Sequence, residues 1–376
     1  MLGSLLRSIT VTLARKVTRR PRVAASILKY FASAGRKYGA SPFRRLKVPD
    51  RKRPTILFVM EKWCDCDPAR GETNSVHNLV GSLRNAGNAD YRLFHFDKYW
   101  LKARKPSALG FMRAVARHKP DMAFVMINSG RHLHPSPLSM WLVSRIWRIP
   151  LVFCWFDFVS PAVRPLAMRF SRLAHASLVL DAPHMVTNDA TYRKLFIPLW
   201  TPQDQTLFRE RGLKREIDVC FLGSRRHYPD RQRILGRIRA LGVQLFEGGG
   251  QREDYIGIDE YASILSRSKI VINFSREIGG STRDQNKGRV YEGMLCGAMV
   301  LEQRNAETAH WFTEGVDLAC FGDEEEALER IAWYLTHDRD REAIAANAHA
   351  KVTSSYNDGR FWATVISAVP PESTIH

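Results

Sequence analysis

The sequence predicts an α/β protein with two doubly wound parallel sheets in series, preceded by a basic helical extension. Three observations lead to this class. From residue 54 onwards, short apolar runs alternate with amphipathic helical segments, and this alternation is typical of parallel βαβ units. The alternation starts again near residue 206. The first 53 residues differ from the rest, since they contain 15 Lys or Arg and a single acidic residue, Asp50.

The composition is that of an ordinary folded chain. Of the 376 residues, 45% are hydrophobic and 25% are charged, which excludes a disordered or collagen-like protein. No run of 18 or more uncharged apolar residues occurs, so we expect no membrane-spanning helix. Six cysteines in so long a chain do not make a disulfide framework. A reducing, cytoplasmic location is therefore the expectation.

Residues 1–53 are predicted to form a basic amphipathic extension, which carries most of the net charge of +19. Between Leu2 and Val17, apolar residues recur at spacings of three and four, so they share one helical face. This pattern suits the surface of an anionic membrane. A targeting segment, or a helix packed on the protein's own body, is the alternative. Nucleic acid is an unlikely partner because no nucleic-acid-binding motif accompanies the charge.

Residues 54–205 are predicted to form the first sheet unit. The apolar run after Pro54 indicates a buried strand. Residues 73–75 offer N-caps for a helix that ends at Gly87. The predicted strands cover residues 55–60, 91–96, 121–127, 150–156 and 177–180, and the predicted helices cover residues 75–86, 106–118, 138–148 and 165–174.

Residues 206–355 are predicted to form the second sheet unit, and residues 356–376 a return helix and tail. The first strand of this unit ends in Gly223. The predicted strands cover residues 218–223, 243–246, 269–274, 298–302 and 318–321, and the predicted helices cover residues 229–241, 259–268, 288–296, 324–336 and 339–354. Open parallel sheets bind ligands at the carboxyl ends of their strands, so two such sheets facing one another predict a site in the cleft between them.

The chemistry of the second unit concentrates in residues 273–302. A polar loop leads from a strand into the helix predicted from residue 288. A helix start presents unpaired amide groups and the positive end of the helix dipole, which favour phosphate. Lys287 and Arg289 add full positive charges, and Glu292 could accept two ribose hydroxyls. This combination indicates a nucleoside diphosphate site. The alternative is that Glu292 pairs with a basic neighbour on a surface helix.

Three segments of the second unit occur in a recognisable order: KGRVYEGMLCGAMVLE at 287–302, WFTEGVDL at 311–318 and DEEEAL at 323–328. They resemble the C-terminal domain of group 1 glycosyltransferases of the GT-B superfamily, above all the spore-maturation-type branch. The resemblance implies two Rossmann-like domains that face each other across a cleft. It also implies transfer of a sugar from a nucleotide-sugar donor.

The resemblance assigns roles to individual residues. In the family, a carboxylate at the position of Glu292 holds the donor ribose, and its partner eight residues earlier falls on Asp284, where the family usually has Glu. The diphosphate-binding cations fall on Arg225 or Arg226, and on Lys287. Fixed cations stabilise a leaving diphosphate without a metal ion, so neither metal nor cofactor is expected. The predicted donor-binding residues are Gly223, Arg225, Arg226, Asn273, Asp284, Lys287, Arg289 and Glu292.

An acceptor hydroxyl also needs a group that receives its proton. Asp157 and Asp181 each follow an apolar strand directly, and His184 comes three residues after Asp181. This position suits a base that faces the cleft. For each of them the alternative is a helix or turn cap. The stereochemical outcome of transfer stays open at this stage.

The function predicted from the sequence is that of a cytoplasmic glycosyltransferase, peripheral at the membrane face. The second unit would bind the nucleotide-sugar donor, and the first unit would admit an acceptor. The basic residues 1–53 predict a lipid-linked or membrane-proximal acceptor. Two other functions stay open. One is a non-catalytic GT-B-like protein that binds a nucleotide or sugar, suggested by Asp284. The other is a nucleic-acid-associated protein that uses residues 1–53.

Overall fold

The computed structural model describes residues 51–127, 133–225, 228–249, 255–276 and 283–369, together with residues 25, 26, 28, 29, 33, 46, 48 and 49. Most of the extension predicted for residues 1–53 therefore lies outside the described residues, as does Arg226.

The first sheet has six parallel strands in the order β2-β1-β3-β4-β5-β6. They are β1 (Thr55–Met60), β2 (Asp90–His95), β3 (Met122–Met126), β4 (Leu151–Trp155), β5 (Ala176–Val179) and β6 (Ile197–Pro198). Every residue of β1, β3, β4 and β5 is buried. Continuous apolar runs form these strands because helices cover both faces of a parallel sheet.

Seven helices surround the first sheet within the described part of the chain. α1 begins as a π turn over Val76–Gly81 and continues over Ser82–Ala86. It ends at Gly87, as predicted, and this glycine has the left-handed backbone that is common after a helix. The others are α2 (Phe96–Ala103), α3 (Ser107–His118), α4 (Pro137–Trp141, continued by a π turn over Leu142–Ile146), α5 (Arg164–Ser171), α6 (Pro183–Asn188) and α7 (Ala190–Leu195). The sequence patterns predicted neither α2 nor the short helices α6 and α7.

The second sheet has five parallel strands in the order β11-β10-β9-β7-β8. They are β7 (Ile217–Leu222), β8 (Leu245–Gly248), β9 (Ser268–Asn273), β10 (Met299–Gln303) and β11 (Ala319–Phe321). Its helices are α8 (Pro229–Ala240), α9 (Ile258–Arg267), α10 (Gly288–Leu295), α11 (Ala306–Ala309), α12 (Glu324–Thr336), α13 (Asp338–Ser354) and α14 (Asp358–Ser367).

Aromatic side chains pack between the two units. Trp200, in the segment that leaves the first unit, packs against Trp311, Tyr356 and Phe361, with ring centroids 6.3, 5.3 and 5.9 Å away. The neighbouring Trp362 of α14 donates a hydrogen bond from Nε1 to Ser82 Oγ of α1 at 2.9 Å. The last helix therefore packs on the first unit, as the sequence predicts.

Cys154, Cys220, Cys296 and Cys320 are buried and unpaired. Among the residues that the structure describes, no helix combines the length and the apolar character that crossing a bilayer requires.

Candidate functional site between the two sheets

Residues 283–287 lie against the carboxyl ends of β4 and β5. Three hydrogen bonds join the two units here: Arg283 Nη1 to the Val159 carbonyl (3.2 Å), Gln285 Nε2 to Asp157 Oδ1 (3.0 Å) and the Asn286 amide to the Asp181 carbonyl (2.8 Å). The loop that leads into α10 thus faces the strand ends of the first sheet, where an open α/β sheet binds its ligands.

The start of α10 lies at this junction. Lys287 is the N-cap residue, with extended backbone, and no side chain caps the helix. From Val290 to Leu295 every residue of α10 is buried. The apolar residues therefore anchor the helix against its own sheet and aim its amino end at the first unit. Such an end favours an anion.

Three basic side chains form a group at this helix start, which we call the cation group: Arg231, Lys287 and Arg289. The guanidinium groups of Arg231 and Arg289 both lie over the Phe221 ring, 5.3 and 5.0 Å from its centroid. Arg289 also lies against Gly223, where any side chain would collide with its Nη2 atom. Glycine at the end of β7 therefore leaves room for this arginine.

No member of the cation group forms an ion pair with a carboxylate of the described residues. Burial and the charges of Arg231 and Arg289 lower the pKa of Lys287 to about 8, against the attraction of Asp157 and Asp181. Burial, with Arg289, lowers the pKa of Arg231 to about 10. Uncompensated cations in a partly buried place are unfavourable without an anion. The arrangement is therefore suited to bind one.

Arg225 forms an ion pair with a carboxylate of β8. Its Nη1 atom lies 2.8 Å from Glu247 Oε2. The buried Arg231, six residues later, belongs to the cation group.

Comparisons with known proteins identify the fold. Residues 207–366 match the family model described as glycosyl transferase-like. No curated protein matched the chain. HepE of Anabaena, solved with UDP and glucose, covers 84% of this chain and 100% of its own at 15% identity, with a TM-score of 0.58. The chain has the GT-B fold.

Two further GT-B structures superimpose over a similar length. A glycosyltransferase of Rickettsia africae covers 85% of this chain and 99% of its own at 10% identity, with a TM-score of 0.56. Sucrose-phosphate synthase of Thermosynechococcus elongatus covers 84% of this chain and 100% of its own at 11% identity, with a TM-score of 0.54. At these identities the similarity is evidence for the fold.

Glu292, the carboxylate expected to hold a ribose, lies one turn into α10 and is 4% exposed. Its Oε2 atom accepts a hydrogen bond from the Tyr261 hydroxyl at 2.7 Å. Burial raises the pKa of Glu292, while hydrogen bonds from Tyr261 and Asn78 and the charge of Arg289 lower it. A carboxylate has about four acceptor positions, so Glu292 retains acceptor capacity beyond these partners.

The structure separates the three candidate bases. Asp157 is exposed at the end of β4, and its backbone is left-handed at φ 54°. Asp181 is 3% exposed, and both of its carboxylate oxygens accept from the Phe158 amide, at 3.2 and 3.0 Å. Asp181 is therefore a buried turn cap, the alternative considered for it. Of Asp157 and Asp181, only Asp157 has an exposed carboxylate at the junction.

His184 is also exposed, but it is held by its own helix. Its Nδ1 atom lies 3.1 Å from Asn188 Nδ2. Its backbone amide donates to Glu307 Oε2 of the second unit at 2.7 Å. Burial raises the pKa of this glutamate to about 7. Glu307 therefore caps α6 across the junction, a contact that no local sequence pattern predicts.

Asp284 lies beside the start of α10 in a short polar chain. Its Oδ1 atom accepts from Ser275 Oγ at 2.8 Å. Asn273, at the end of β9, is fully buried, and its Oδ1 atom accepts from Arg289 Nη1 at 2.7 Å. Both predicted positions thus lie at the strand and loop ends that surround the cation group.

In the part of the chain that the structure describes, no three His, Cys, Asp or Glu side chains come together as a metal ion would require.

Proposed function

We propose that the protein is a glycosyltransferase that moves a sugar from a nucleotide-sugar donor to a hydroxyl acceptor. The observation that carries the proposal is the cation group, which lies unpaired at the start of α10 and faces the strand ends of the first sheet. The glycosyl transferase-like match over residues 207–366 supports the same activity. HepE of Anabaena was solved with UDP-glucose, which makes a uridine diphosphate sugar the first donor to test.

The reaction places its charge where the cations are. The acceptor oxygen forms a bond to the anomeric carbon, and the bond from that carbon to the diphosphate oxygen breaks with its electron pair. The leaving nucleoside diphosphate therefore gains negative charge in the transition state. Lys287, Arg289 and Arg231 stabilise that charge because they are already in place before the reaction. The proposed mechanism thus needs no metal ion.

Glu292 is proposed to bind the donor ribose. Its Oε2 atom already accepts from Tyr261, and the remaining lone pairs can accept from the two ribose hydroxyls. The same helix start would then hold the diphosphate and the ribose about one turn apart, which matches their order in a nucleotide.

Asp157 is proposed to receive the acceptor proton. It is the exposed carboxylate at the junction, and Gln285 of the second unit holds its Oδ1 atom at 3.0 Å. Its left-handed backbone is unusual for a residue other than glycine, and such conformations cluster at functional sites. The second carboxylate oxygen is then available to the acceptor hydroxyl.

A thermal-shift panel of nucleotides and nucleotide sugars tests the proposed function. A ligand that binds only the folded state stabilises it, by about 2.7 kcal/mol at one hundred times its dissociation constant. We expect uridine diphosphate and its sugars to raise the melting temperature, and a donor incubated with hydroxyl acceptors to release its nucleotide. If no nucleotide raised the melting temperature, the proposal would be rejected. Binding without any nucleotide release would favour the non-catalytic alternative.

We further propose that residues 1–53 hold the protein at the cytoplasmic face of an anionic membrane, and that its acceptor is lipid-linked. The support is the count of 15 basic residues against one acidic residue and the amphipathic spacing. The segments at 287–302 and 311–318 support a place in the spore-maturation-type branch of GT-B transferases.

Flotation with liposomes tests the membrane proposal. We expect the full chain to float with vesicles that contain phosphatidylserine, and to stay behind with neutral phosphatidylcholine vesicles, because lysine and arginine near an anionic surface each contribute about 1 kcal/mol. Deleting residues 1–53 should abolish flotation while nucleotide binding is retained. Undiminished flotation of the deletion variant would contradict the proposal.

A further inference from the structure

Glu302 is a buried carboxyl group at the end of β10 that no step of the proposed reaction uses. It is completely buried. Three donors surround it: Asn273 Nδ2 at 2.6 Å from Oε2, and Asn305 Nδ2 and Thr308 Oγ1 at 2.8 and 3.1 Å from Oε1. Its acceptor positions are therefore occupied by side chains of two segments, the end of β9 and the start of α11.

Asn273 connects this carboxyl group to the cation group. While its Nδ2 atom donates to Glu302, its Oδ1 atom accepts from Arg289 Nη1 at 2.7 Å. An amide can make both contacts in one orientation only, because the reversed amide would set a donor against the guanidinium and an acceptor against the carboxylate. Glu302 therefore fixes which way the Asn273 amide points.

Arg289 depends on that orientation. Its Nε atom is buried without a hydrogen-bond partner among the described residues. No described carboxylate forms an ion pair with it. The Asn273 amide oxygen, together with the nearby Tyr261 hydroxyl, thus holds the guanidinium beside Gly223 and over Phe221.

We propose that Glu302 is a positioning residue for donor binding, which acts through Asn273 to hold Arg289 where the donor diphosphate is bound. This inference rests on the proposed function. Glu302 does not touch the donor itself. It orients one amide, and that amide orients the cation. The buried chain Glu302–Asn273–Arg289 runs across the ends of the neighbouring strands β10 and β9 to the first turn of α10.

The protonation of Glu302 is consistent with a functional role. Burial raises the pKa of Glu302 to about 7, against the three hydrogen bonds and the charge of Arg289, which lower it. A carboxyl whose pKa is raised on folding contributes most to stability below its ordinary pKa. That contribution is lost as the pH rises through 7. Buried carboxyl groups whose pKa is raised in this way cluster at functional sites.

Calorimetric titration of UDP-glucose tests the inference with two substitutions and one control. Glu302→Gln has one amide donor and one oxygen acceptor, so in either orientation its amide group is set against the side-chain amide of Asn273 or of Asn305, and the chain of hydrogen bonds is weakened. We expect the affinity for UDP-glucose to fall about tenfold. The control, Asn305→Ser, removes a different hydrogen bond to Glu302 and retains a helix cap. It should bind UDP-glucose like the wild type.

A coupling measurement separates positioning from general packing. In an Arg289→Lys background, Glu302→Gln should weaken binding by less than about twofold, because the arginine through which it acts is gone. Equal losses in both backgrounds, or an equal loss in Asn305→Ser, would overturn the inference.

Three further outcomes are decisive. If Glu302→Gln does not fold, Glu302→Asp takes its place, because the shorter carboxylate keeps the charge but no longer reaches Asn273; wild-type affinity in Glu302→Asp would then overturn the inference. A wild-type protein that binds no nucleotide would reject the proposed function as well. If the wild type binds nucleotide and the Glu302 variants bind it with the same affinity, only the positioning role is rejected.

Discussion

Replacing Lys287 with methionine is expected to weaken the affinity for nucleoside diphosphates by about 10- to 100-fold, while it makes the ligand-free protein more stable. A charge-assisted hydrogen bond to phosphate contributes roughly 1.5–3 kcal/mol, which is the loss in binding. The gain in stability has a separate cause. Lys287 lies half-buried beside Arg231 and Arg289, and none of the three forms an ion pair with a carboxylate of the described residues.

The sign of the stability change follows from the pKa of Lys287, which burial lowers to about 8 on folding. A lysine with a lowered pKa binds its proton less readily in the folded chain than in the unfolded one. The folded protein therefore loses stability as the pH falls from about 10.5 to about 8. Methionine removes this loss and keeps the length of the side chain. After allowance for solvent screening, we expect the free energy of unfolding to rise by about 1–2 kcal/mol at pH 7. This gain should disappear toward pH 10.

The measurements are a titration of uridine diphosphate and a thermal melt, both across pH 6–10. In the wild type, affinity should fall by about tenfold per pH unit above 8, as Lys287 loses its proton before binding. In Lys287→Met this dependence should be absent. The matched control is Lys269→Met, which removes a lysine of β9 that pairs with Asp218 at 2.6 Å. Lys269→Met should bind normally and melt earlier. Full affinity in Lys287→Met would contradict the assignment of the cation group.

Local sequence signals predicted most of the fold because most of its elements are locally determined. β1, β4 and β9 are apolar runs that need burial on both faces, and α10 begins where a polar loop meets an apolar helical pattern. The short helices were not predicted, because they depend on contacts with distant residues. In α2, Asp97 is fully buried because its carboxylate accepts from the backbone amides of Lys62 and Trp63, in a distant part of the chain. No local pattern reveals such a partner.

The candidate site was predictable only where one segment supplies it. Lys287, Arg289 and Glu292 belong to one loop and helix, so their spacing is visible in the sequence. Arg231 is not distinguishable by sequence from the other arginines of residues 225–239. It joins the cation group because tertiary packing places its guanidinium 3.7 Å from the centroid of the Tyr228 ring and over Phe221.

Asp157→Asn is expected to lower kcat for sugar transfer by roughly 10²–10⁴-fold with little change in the KM for the donor, since a general base contributes about that much. The substitution is nearly isosteric. Asparagine tolerates the left-handed backbone at this position, and its amide oxygen can still accept from Gln285. The loss would therefore report the missing carboxylate rather than a changed junction.

Asp181→Asn provides the comparison that tells a base from a turn cap. Burial, together with the nearby charge of Asp157, raises the pKa of Asp181 well above its ordinary value. A neutral amide is therefore well accommodated at this position, and its oxygen can still accept from the Phe158 amide. We expect a kcat within about fivefold of the wild type and no loss of stability at pH 7. If Asp157→Asn kept its kcat, or if Asp181→Asn lost as much, the proton acceptor would have to be sought elsewhere at the junction. The pair of variants decides this because the two carboxyl groups follow adjacent strands of one sheet, and only that of Asp157 is exposed.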